Sequence, residues 1–125
     1  MKEEVIEVAG GSDLDSQVAQ AAFMEEFLDV MIHESTDPNA ESVIPVGVNG
    51  RMVWLLRGQP LQLRRKYVEV LARSKTTAYK TVKGRSYDGS DKVDLVGHTA
   101  LTYPFSVISD KNPQGAAWLR SVLAS

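Results

Sequence analysis

Two β-rich runs separated by a two-residue turn make the clearest hydrophobic pattern in this chain. Val43–Val48 and Met52–Leu56 are rich in β-branched and large apolar residues, and they flank Asn49-Gly50. An Asn-Gly pair is preferred in type I′ turns because both central residues of that turn have positive φ. A shorter alternating segment follows at residues 61–63. The pattern predicts a small antiparallel sheet built on a hairpin at residues 43–63.

Helical periodicity dominates the chain upstream of this hairpin. Ser12 is a suitable N-cap, and acidic residues follow it in what would be the first helical turn. We therefore expect a helix over residues 13–34. Its apolar residues would cover an arc of about 200°, which is wider than one packing surface requires. Two interpretations remain open: both packing partners of this helix belong to the same chain, or one of them is another subunit.

Two further helices complete the predicted α+β fold. The middle helix covers residues 64–74, where Glu69 can bridge Arg65 and Arg73 on successive turns. The last helix is short and covers residues 113–123, entered through an asparagine and a proline that favour a helix start.

The remaining segments are assigned by composition. We expect a single domain over residues 1–125, with residues 1–11 as a possible extended arm. Residues 77–82 favour a strand or extended piece, and residues 84–94 favour a mobile loop because they are rich in glycine, serine and charged residues.

Charge is sorted along the sequence. Residues 1–42 contain eleven acidic residues and one lysine, while residues 43–86 contain ten basic residues and one glutamate. The formal net charge of −2 therefore conceals an acidic first third and a basic middle. Such a distribution favours contacts between the two segments, either within one chain or from one copy to the next.

No motif in the sequence predicts catalysis, so we expect a protein that is not an enzyme. The absence of cysteine excludes disulfides, cysteine nucleophiles and thiolate metal sites. His33 and His98 lack the spacing of a metal-binding pair, and Asp88, Asp91 and Asp94 lack the spacing of a calcium loop. No cofactor or metal is therefore expected. The apolar runs are too short for a membrane span, and we expect no contact with a membrane.

The basic middle of the chain suggests one alternative function. It combines lysines and arginines with tyrosines, the mixture that proteins binding single-stranded nucleic acid use. The acidic first third would repel phosphate, and no helix-turn-helix, zinc-finger or RNP motif is present. We therefore favour protein–protein contacts and keep nucleic-acid binding as the alternative. The residues concerned are Arg64, Arg65, Lys66, Tyr67, Arg73, Lys75, Tyr79, Lys80, Lys83, Arg85 and Tyr87.

Two segments resemble small structural proteins encoded in the virion gene clusters of tailed bacteriophages. They are VIPVGVNGRMVWLLRGQPLQLRRKYVEVL, beginning at Val43, and YPFSVISDKNPQGAAWLRSVL, beginning at Tyr103. In that family a hydrophobic strand, an NGR turn, a strand ending in RGxP and a helix with a Val-Glu-Val-Leu core recur. Here the helix begins with Arg64-Arg65-Lys66, whereas the family has an apolar residue or a proline at that point.

The resemblance implies a multi-copy virion component without catalytic residues: a capsid-decorating or cement protein, a minor head protein, or a connector near the portal. Its partners would be the major capsid protein, other virion proteins and further copies of itself, assembled in the host cytoplasm. We expect apolar burial to provide affinity and charge pairing to set orientation. The predicted interface residues are Phe23, Phe27, Met31, Trp54, Arg64, Arg65, Arg73 and Trp118.

Overall fold

The structure is a computed structural model that describes residues 11–87 and 89–125. Within these residues the chain forms three helices and seven strands, and this confirms the α+β class expected from the sequence. The extended N-terminal segment predicted at residues 1–11 lies almost entirely outside the described residues. The helices are α1 (Gly11–Glu25), α2 (Arg65–Arg73) and α3 (Gly115–Leu123). The strands are β1 (Phe27–Ile32), β2 (Val43–Val48), β3 (Arg51–Leu56), β4 (Pro60–Arg64), β5 (Lys75–Arg85), β6 (Asp91–Leu101) and β7 (Phe105–Ser109).

The core forms between α2 and a three-stranded antiparallel sheet in which β1 lies between β4 and β7. Leu28, Val30 and Ile32 alternate along β1 and are fully buried. From α2, Val68 and Leu71 pack against them. A strand with one buried face and an amphipathic helix together supply the two layers that a small domain needs.

The predicted hairpin is confirmed. Strands β2 and β3 pair from Val43 opposite Leu56 to Val48 opposite Arg51, and the turn residues Asn49 and Gly50 have φ of 50° and 79°. The expected third strand exists as β4, but it pairs with β1 instead of extending the hairpin. The chain between β3 and β4 turns at Gly58, whose φ is 76°, and this turn directs β4 into the other sheet.

The helix expected over residues 13–34 is shorter than predicted. It ends at Glu25, and residues Phe27–Ile32 form β1. The segment Phe-Leu-Asp-Val-Met-Ile fits both a helical and an alternating pattern, and short apolar runs are ambiguous between the two. Pairing decides the outcome, because the strand obtains hydrogen-bonding partners on both edges, β4 and β7.

The middle and C-terminal helices lie within the predicted ranges, whereas the region between them is more regular than expected. Strands β5 and β6 pair over eleven residues each, from Lys75 opposite Leu101 to Arg85 opposite Asp91. We call this two-stranded unit the arm. Most of the segment 84–94 expected as a loop therefore lies in strands, and only residues 86–90 connect them.

Candidate interaction surfaces

The β2–β3 hairpin carries large apolar side chains on the side that faces away from the core. We call this side the outer face. Trp54 is 66% exposed and Met52 is 54% exposed, although both are among the most hydrophobic residues of the chain. The cross-strand neighbours on the same side are apolar or glycine. The outer face consists of Val43, Pro45, Met52, Trp54 and Leu56.

Strand alternation explains how the hairpin becomes apolar on both sides. Ile44, Val46 and Leu55 point inward and are buried in the core, so the intervening residues must point outward. On an antiparallel sheet with one buried face, the outward positions are normally polar. Here no outward position of the hairpin strands between Val43 and Leu56 carries a charge. This pattern is typical of a surface that another molecule covers.

The arm provides a second exposed surface with apolar and basic residues. Register places alternate residues of β5 and β6 on one side, which we call the aromatic face of the arm. Tyr79 is 71% exposed and Leu95 is 72% exposed. The Tyr79 ring lies across Gly97, where a Cβ would be 3.2 Å from the ring. The aromatic face includes Tyr79, Lys83, Arg85, Val93 and Leu95, and Asp91 lies opposite Arg85 on the same face.

The arm does not bury a core of its own. Every residue of β5 is exposed, and so is every residue of β6 before Leu101. At its base, Thr102 N donates to Ser74 O at 2.9 Å, and Lys75 Nζ donates to the carbonyl oxygens of Leu123 and Ser125, each at 2.8 Å. Isolated two-stranded hairpins are marginally stable in water. The arm therefore gains from a surface that covers it.

Charges near these two surfaces lack partners. Glu34, Asp37 and Glu41 lie in the exposed segment 33–42, which we call the acidic loop, and in the described parts of the chain none of them forms an ion pair. The acidic loop borders the outer face, because Glu34, Asp37 and Glu41 line the same shallow depression as Leu56 and Arg57.

Three basic residues of β5 also have no ion-pair partner in the described part of the chain. Lys80, Lys83 and Arg85 make no ion pair with any residue that the structure describes, whereas Lys92 lies 3.4 Å from Asp94. Strand β5 itself carries four basic residues and no acidic one. The arm therefore presents net positive charge along one strand.

Elsewhere the acidic and basic segments meet within the chain. Arg65 is fully buried and contacts groups from three other parts of the fold. Its guanidinium donates to Asp110 Oδ2 at 2.7 Å and Oδ1 at 2.9 Å, to Glu26 Oε1 at 2.8 Å, and to the backbone oxygen of Phe23 at 3.0 Å. A bidentate arginine–carboxylate pair is among the strongest ion-pair geometries in proteins.

Two aromatic rings contact the guanidinium from adjacent sides. The Arg65 guanidinium carbon lies 3.9 Å from the Phe23 ring centroid and 5.1 Å from that of Trp118, and the two rings meet edge to face at 5.9 Å. Gly115 is required beside them, because a Cβ at that position would overlap the Asp110 carboxylate. We call Arg65, Glu26, Asp110, Phe23 and Trp118 the Arg65 cluster.

The ionisation of the cluster follows from these contacts. The hydrogen bond from Arg65 lowers the pKa of Asp110 and likewise that of Glu26, and Asn112 contributes further hydrogen bonds to both. Burial lowers the pKa of the Arg65 guanidinium, but the hydrogen bonds that it donates to the two carboxylates outweigh this effect, and its pKa is raised above the ordinary value. All three groups are therefore charged, with one more negative than positive charge.

The eight predicted interface residues thus separate into different environments. Arg65 is wholly buried, and Phe23 and Trp118 are partly buried against it, so these three residues hold the chain together. The expectation that Glu69 bridges two arginines is wrong for Arg65, because that side chain points into the core; Glu69 pairs only with Arg73, at 3.1 Å.

The other predicted residues lie nearer the surface. Phe27 is 54% exposed with Arg64 over its ring at 4.3 Å, and Arg64 also pairs with Glu25 at 3.2 Å. Met31 is partly buried on β1. Trp54 is the predicted residue that the structure places at the centre of an exposed apolar surface.

Sequence reasoning missed the other members of both surfaces. The sequence does contain an indication of the outer face. Met52, Trp54 and Leu56 alternate with two other apolar residues, and in any hairpin strand one of these two alternating sets must point away from the core. For the arm, Tyr79 was noted only as a stacking ring for nucleic acid. Tyr79 lies near Leu95 because of the register between β5 and β6. The composition of residues 84–94 indicates a loop, so the sequence does not predict that register.

The described residues provide little for other chemistry. His33 Nε2 lies 2.6 Å from Ser106 Oγ at the surface, and His98 lies on the arm. Within residues 11–87 and 89–125 no cluster of three metal-ligating side chains forms. No helix in those ranges is long and apolar enough to cross a membrane.

Comparisons with protein-family models, with curated proteins and with solved structures give no match to this chain. The geometry of its own surfaces therefore carries the functional argument.

Proposed function

We propose that this chain is a structural subunit of a larger protein assembly, and specifically a capsid-associated virion protein of a tailed bacteriophage, of the decoration, cement or minor head type. It works through protein–protein contacts and has no catalytic role. Its partners are the major capsid protein, other virion proteins and further copies of itself. The observation that carries the proposal is the outer face, a hairpin surface of five apolar residues that are not part of the core.

The physical support comes from what the chain leaves uncovered. Scattered exposed apolar residues are normal, but a contiguous apolar patch on a small protein usually marks an interaction site. The outer face places Trp54 opposite Pro45 and Met52 opposite Gly47, where a Cβ would be 2.6 Å from Met52 Sδ. Large apolar and aromatic residues of this kind commonly dominate binding at protein interfaces. The resemblance of residues 43–71 and 103–123 to phage structural proteins supports a virion as the assembly.

One observation favours a second candidate, a nucleic-acid-binding accessory protein of genome packaging or a head–tail connector component. Lys83 and Arg85 lie on the same face of the arm as Tyr79, and such a combination can follow a phosphate backbone while a base stacks on the ring. Most of the remaining basic middle is already engaged. Arg64, Arg65, Lys66 and Arg73 form ion pairs within the chain.

The proposed function is tested on native particles from the source of the sequence. Purified particles are dissolved and analysed by gel electrophoresis and mass spectrometry, with a mock purification from uninfected cells as the control. We expect a stoichiometric band near 13.7 kDa that contains peptides of this chain. If the particles lack the chain, the proposal is wrong. Electron microscopy of the same particles then distinguishes the shell from the neck.

Retention on DNA tests the second candidate. A chain that uses the arm for phosphate contacts would be retained on single-stranded DNA, with affinity that falls steeply as salt rises. Changing both Lys83 and Arg85 to Glu would abolish retention, whereas Lys80→Glu on the other face of the arm would reduce it less. Absence of retention at low salt would exclude this candidate.

A further inference from the structure

The outer face and the aromatic face of the arm have matching dimensions. Tyr79 and Lys83 are four residues apart on β5. On β6, Leu95 lies opposite the residue midway between them, and Val93 lies opposite Lys83 itself. Met52 and Leu56 are also four residues apart on β3. At about 3.3 Å per residue, each apolar surface is about 13 Å long.

The unpaired charges lie beyond corresponding ends of these surfaces. On the arm, Arg85 lies two residues beyond Lys83, towards the tip. On the hairpin, Glu41 lies two residues before Val43, which pairs with Leu56. Two extended residues span about 7 Å. An arm laid along the outer face with Tyr79 near Met52 therefore places Arg85 beside the acidic loop.

We propose that the arm of one copy docks on the outer face of the next copy, with Lys83 and Arg85 beside the acidic loop, so that the chain assembles head to tail with itself. This inference rests on the proposed function, and it identifies a second copy of the chain as one partner of the outer face. Both surfaces are apolar in the middle. At one end the arm carries Lys83 and Arg85 against Asp91, and the depression beside the outer face carries three acidic residues against Arg57. These ends have opposite net charge, so burial provides affinity and charge fixes the direction. Because the two surfaces differ, the contact is heterologous and repeats until it closes into a ring or continues as a filament.

Three pairs of substitutions separate this contact from its alternatives. The arm variant is Tyr79→Thr with Leu95→Thr, and the face variant is Met52→Thr with Trp54→Thr. Threonine keeps strand propensity, and all four positions are exposed, so folding is retained. The matched control is Val82→Thr with Val96→Thr, which removes exposed apolar residues from the opposite face of the same arm.

Sedimentation velocity of the full chain, at concentrations up to about 1 mM, gives the readout. We expect the wild type and the control variant to associate, and the arm and face variants to associate at least about tenfold more weakly. Mixing the arm variant with the face variant leaves one intact arm and one intact outer face. This mixture should form a one-to-one complex that does not grow further.

Other outcomes overturn the inference. Undiminished self-association of either variant would indicate contact between like surfaces, and a monomeric mixture would show that the arm does not bind the outer face. A wild-type chain that stays monomeric throughout would also overturn it. If that monomeric chain is nevertheless stoichiometric in purified particles, the proposed function stands and only the self-contact fails.

The direction of docking has its own test. Arg85→Glu should weaken association about tenfold, and adding Glu41→Lys should restore it, because a swapped pair regains attraction. Lys80→Glu is the control, since Lys80 is equally unpaired but lies on the opposite face. A loss of association with Lys80→Glu as large as with Arg85→Glu would contradict the proposed orientation.

Discussion

Charged and large apolar side chains are paired around a buried guanidinium in the Arg65 cluster, whereas on the outer face and beside it they are exposed. In the cluster, arginine, acids and aromatic rings from distant parts of the chain satisfy one another, and Arg65 is fully buried. On the outer face and the arm, apolar side chains are exposed, and among the described residues most of the neighbouring charges form no ion pair, Lys92 and Asp94 excepted. The first arrangement completes the fold, and the second is the surface that we propose another molecule covers.

This difference shows how sorted charge acts in the chain. The acidic first third and the basic middle meet internally at residues 25–26 and 64–66, where the end of α1 lies beside the start of α2. The acids at residues 34–41 and the bases at residues 80–85 belong to the same two segments but remain apart. The interpretation of contacts within one chain therefore holds at residues 25–26 and 64–66. Contact from one copy to the next remains a proposal for residues 34–41 and 80–85.

The largest effect is expected from Arg65→Met. Removing the guanidinium leaves the Asp110 carboxylate, which is 14% exposed, without its main partner. Breaking a buried ion pair on one side costs about 3–5 kcal/mol. We expect the free energy of unfolding, measured by urea denaturation at low protein concentration, to fall by about that amount.

Arg73→Met is the matched control for this change. Arg73 pairs with Glu69 four residues earlier at the surface, and such pairs contribute about 0.3–0.5 kcal/mol. Equal losses in the two variants would mean that the cluster does not stabilise the fold in the way its geometry suggests.

The second effect is a dependence on pH. The folded state lowers the pKa of Asp110 and of Glu26, so their contribution to stability is present above the ordinary carboxyl pKa of about 4 and is lost as pH falls through the lower folded values. We expect Asp110→Asn to reduce the free energy of unfolding by about 1–3 kcal/mol near neutral pH.

The difference in unfolding free energy between this variant and the wild type should be smaller at about pH 3, because this pH lies below the ordinary carboxyl pKa and the unfolded wild-type chain already binds a proton there. Urea denaturation at both pH values measures this difference. If the difference in unfolding free energy is the same at both pH values, the ionised Arg65–Asp110 pair does not account for it. Glu69→Gln is the control, since it removes a carboxylate from a surface ion pair.

A smaller contrast is expected between two phenylalanines that each carry an arginine over the ring. Phe23 lies under buried Arg65 at 3.9 Å, and Phe27 lies under exposed Arg64 at 4.3 Å. Phe23→Leu should reduce the free energy of unfolding by about 1–2 kcal/mol, because a desolvated cation–π contact is lost with its packing. Phe27→Leu should cost less than about 0.5 kcal/mol. The same denaturation measurement compares them, and a reversed order would contradict the burial of the cluster.

Local signals in the sequence were sufficient for the hairpin and for the middle helix. Asn49-Gly50 requires a tight turn, and Tyr67 and Leu71, both buried in the structure, repeat at the spacing of one helix face. The end of α1 is not predictable in the same way, because residues 27–32 become a strand only when β4 and β7 supply partners. The β4 partners lie roughly thirty residues away and the β7 partners more than seventy residues away. Long-range pairing overrides local periodicity at such ambiguous segments.

The placement of Arg65 has a similar explanation. Its carboxylate partner Asp110 is forty-five residues away, so no local pattern indicates the pair. A weaker signal did exist, because Arg65 lies three residues before Val68 and seven before Ala72, on the face of α2 that is buried. An arginine at a core position of an amphipathic helix predicts a buried carboxylate partner, although it does not identify which one.

The smallest change in the free energy of unfolding is expected for a residue of the outer face, where we expect the largest loss of self-association. Trp54→Thr removes the most exposed ring of the outer face, but Trp54 is not part of the core. We expect the free energy of unfolding of the monomer to change by less than about 0.5 kcal/mol, as is usual for exposed positions. Leu55→Ala, one residue further along β3, empties a buried position and should cost about 2–5 kcal/mol.

Adjacent residues of one strand therefore separate folding from association. Denaturation of both variants at low concentration measures stability, and sedimentation at high concentration measures self-association. Trp54→Thr should lose association with stability intact, whereas Leu55→Ala should lose stability first. If Trp54→Thr destabilised the monomer as strongly as Leu55→Ala, the outer face would belong to the fold of the single chain, and its exposed apolar residues would no longer indicate a partner.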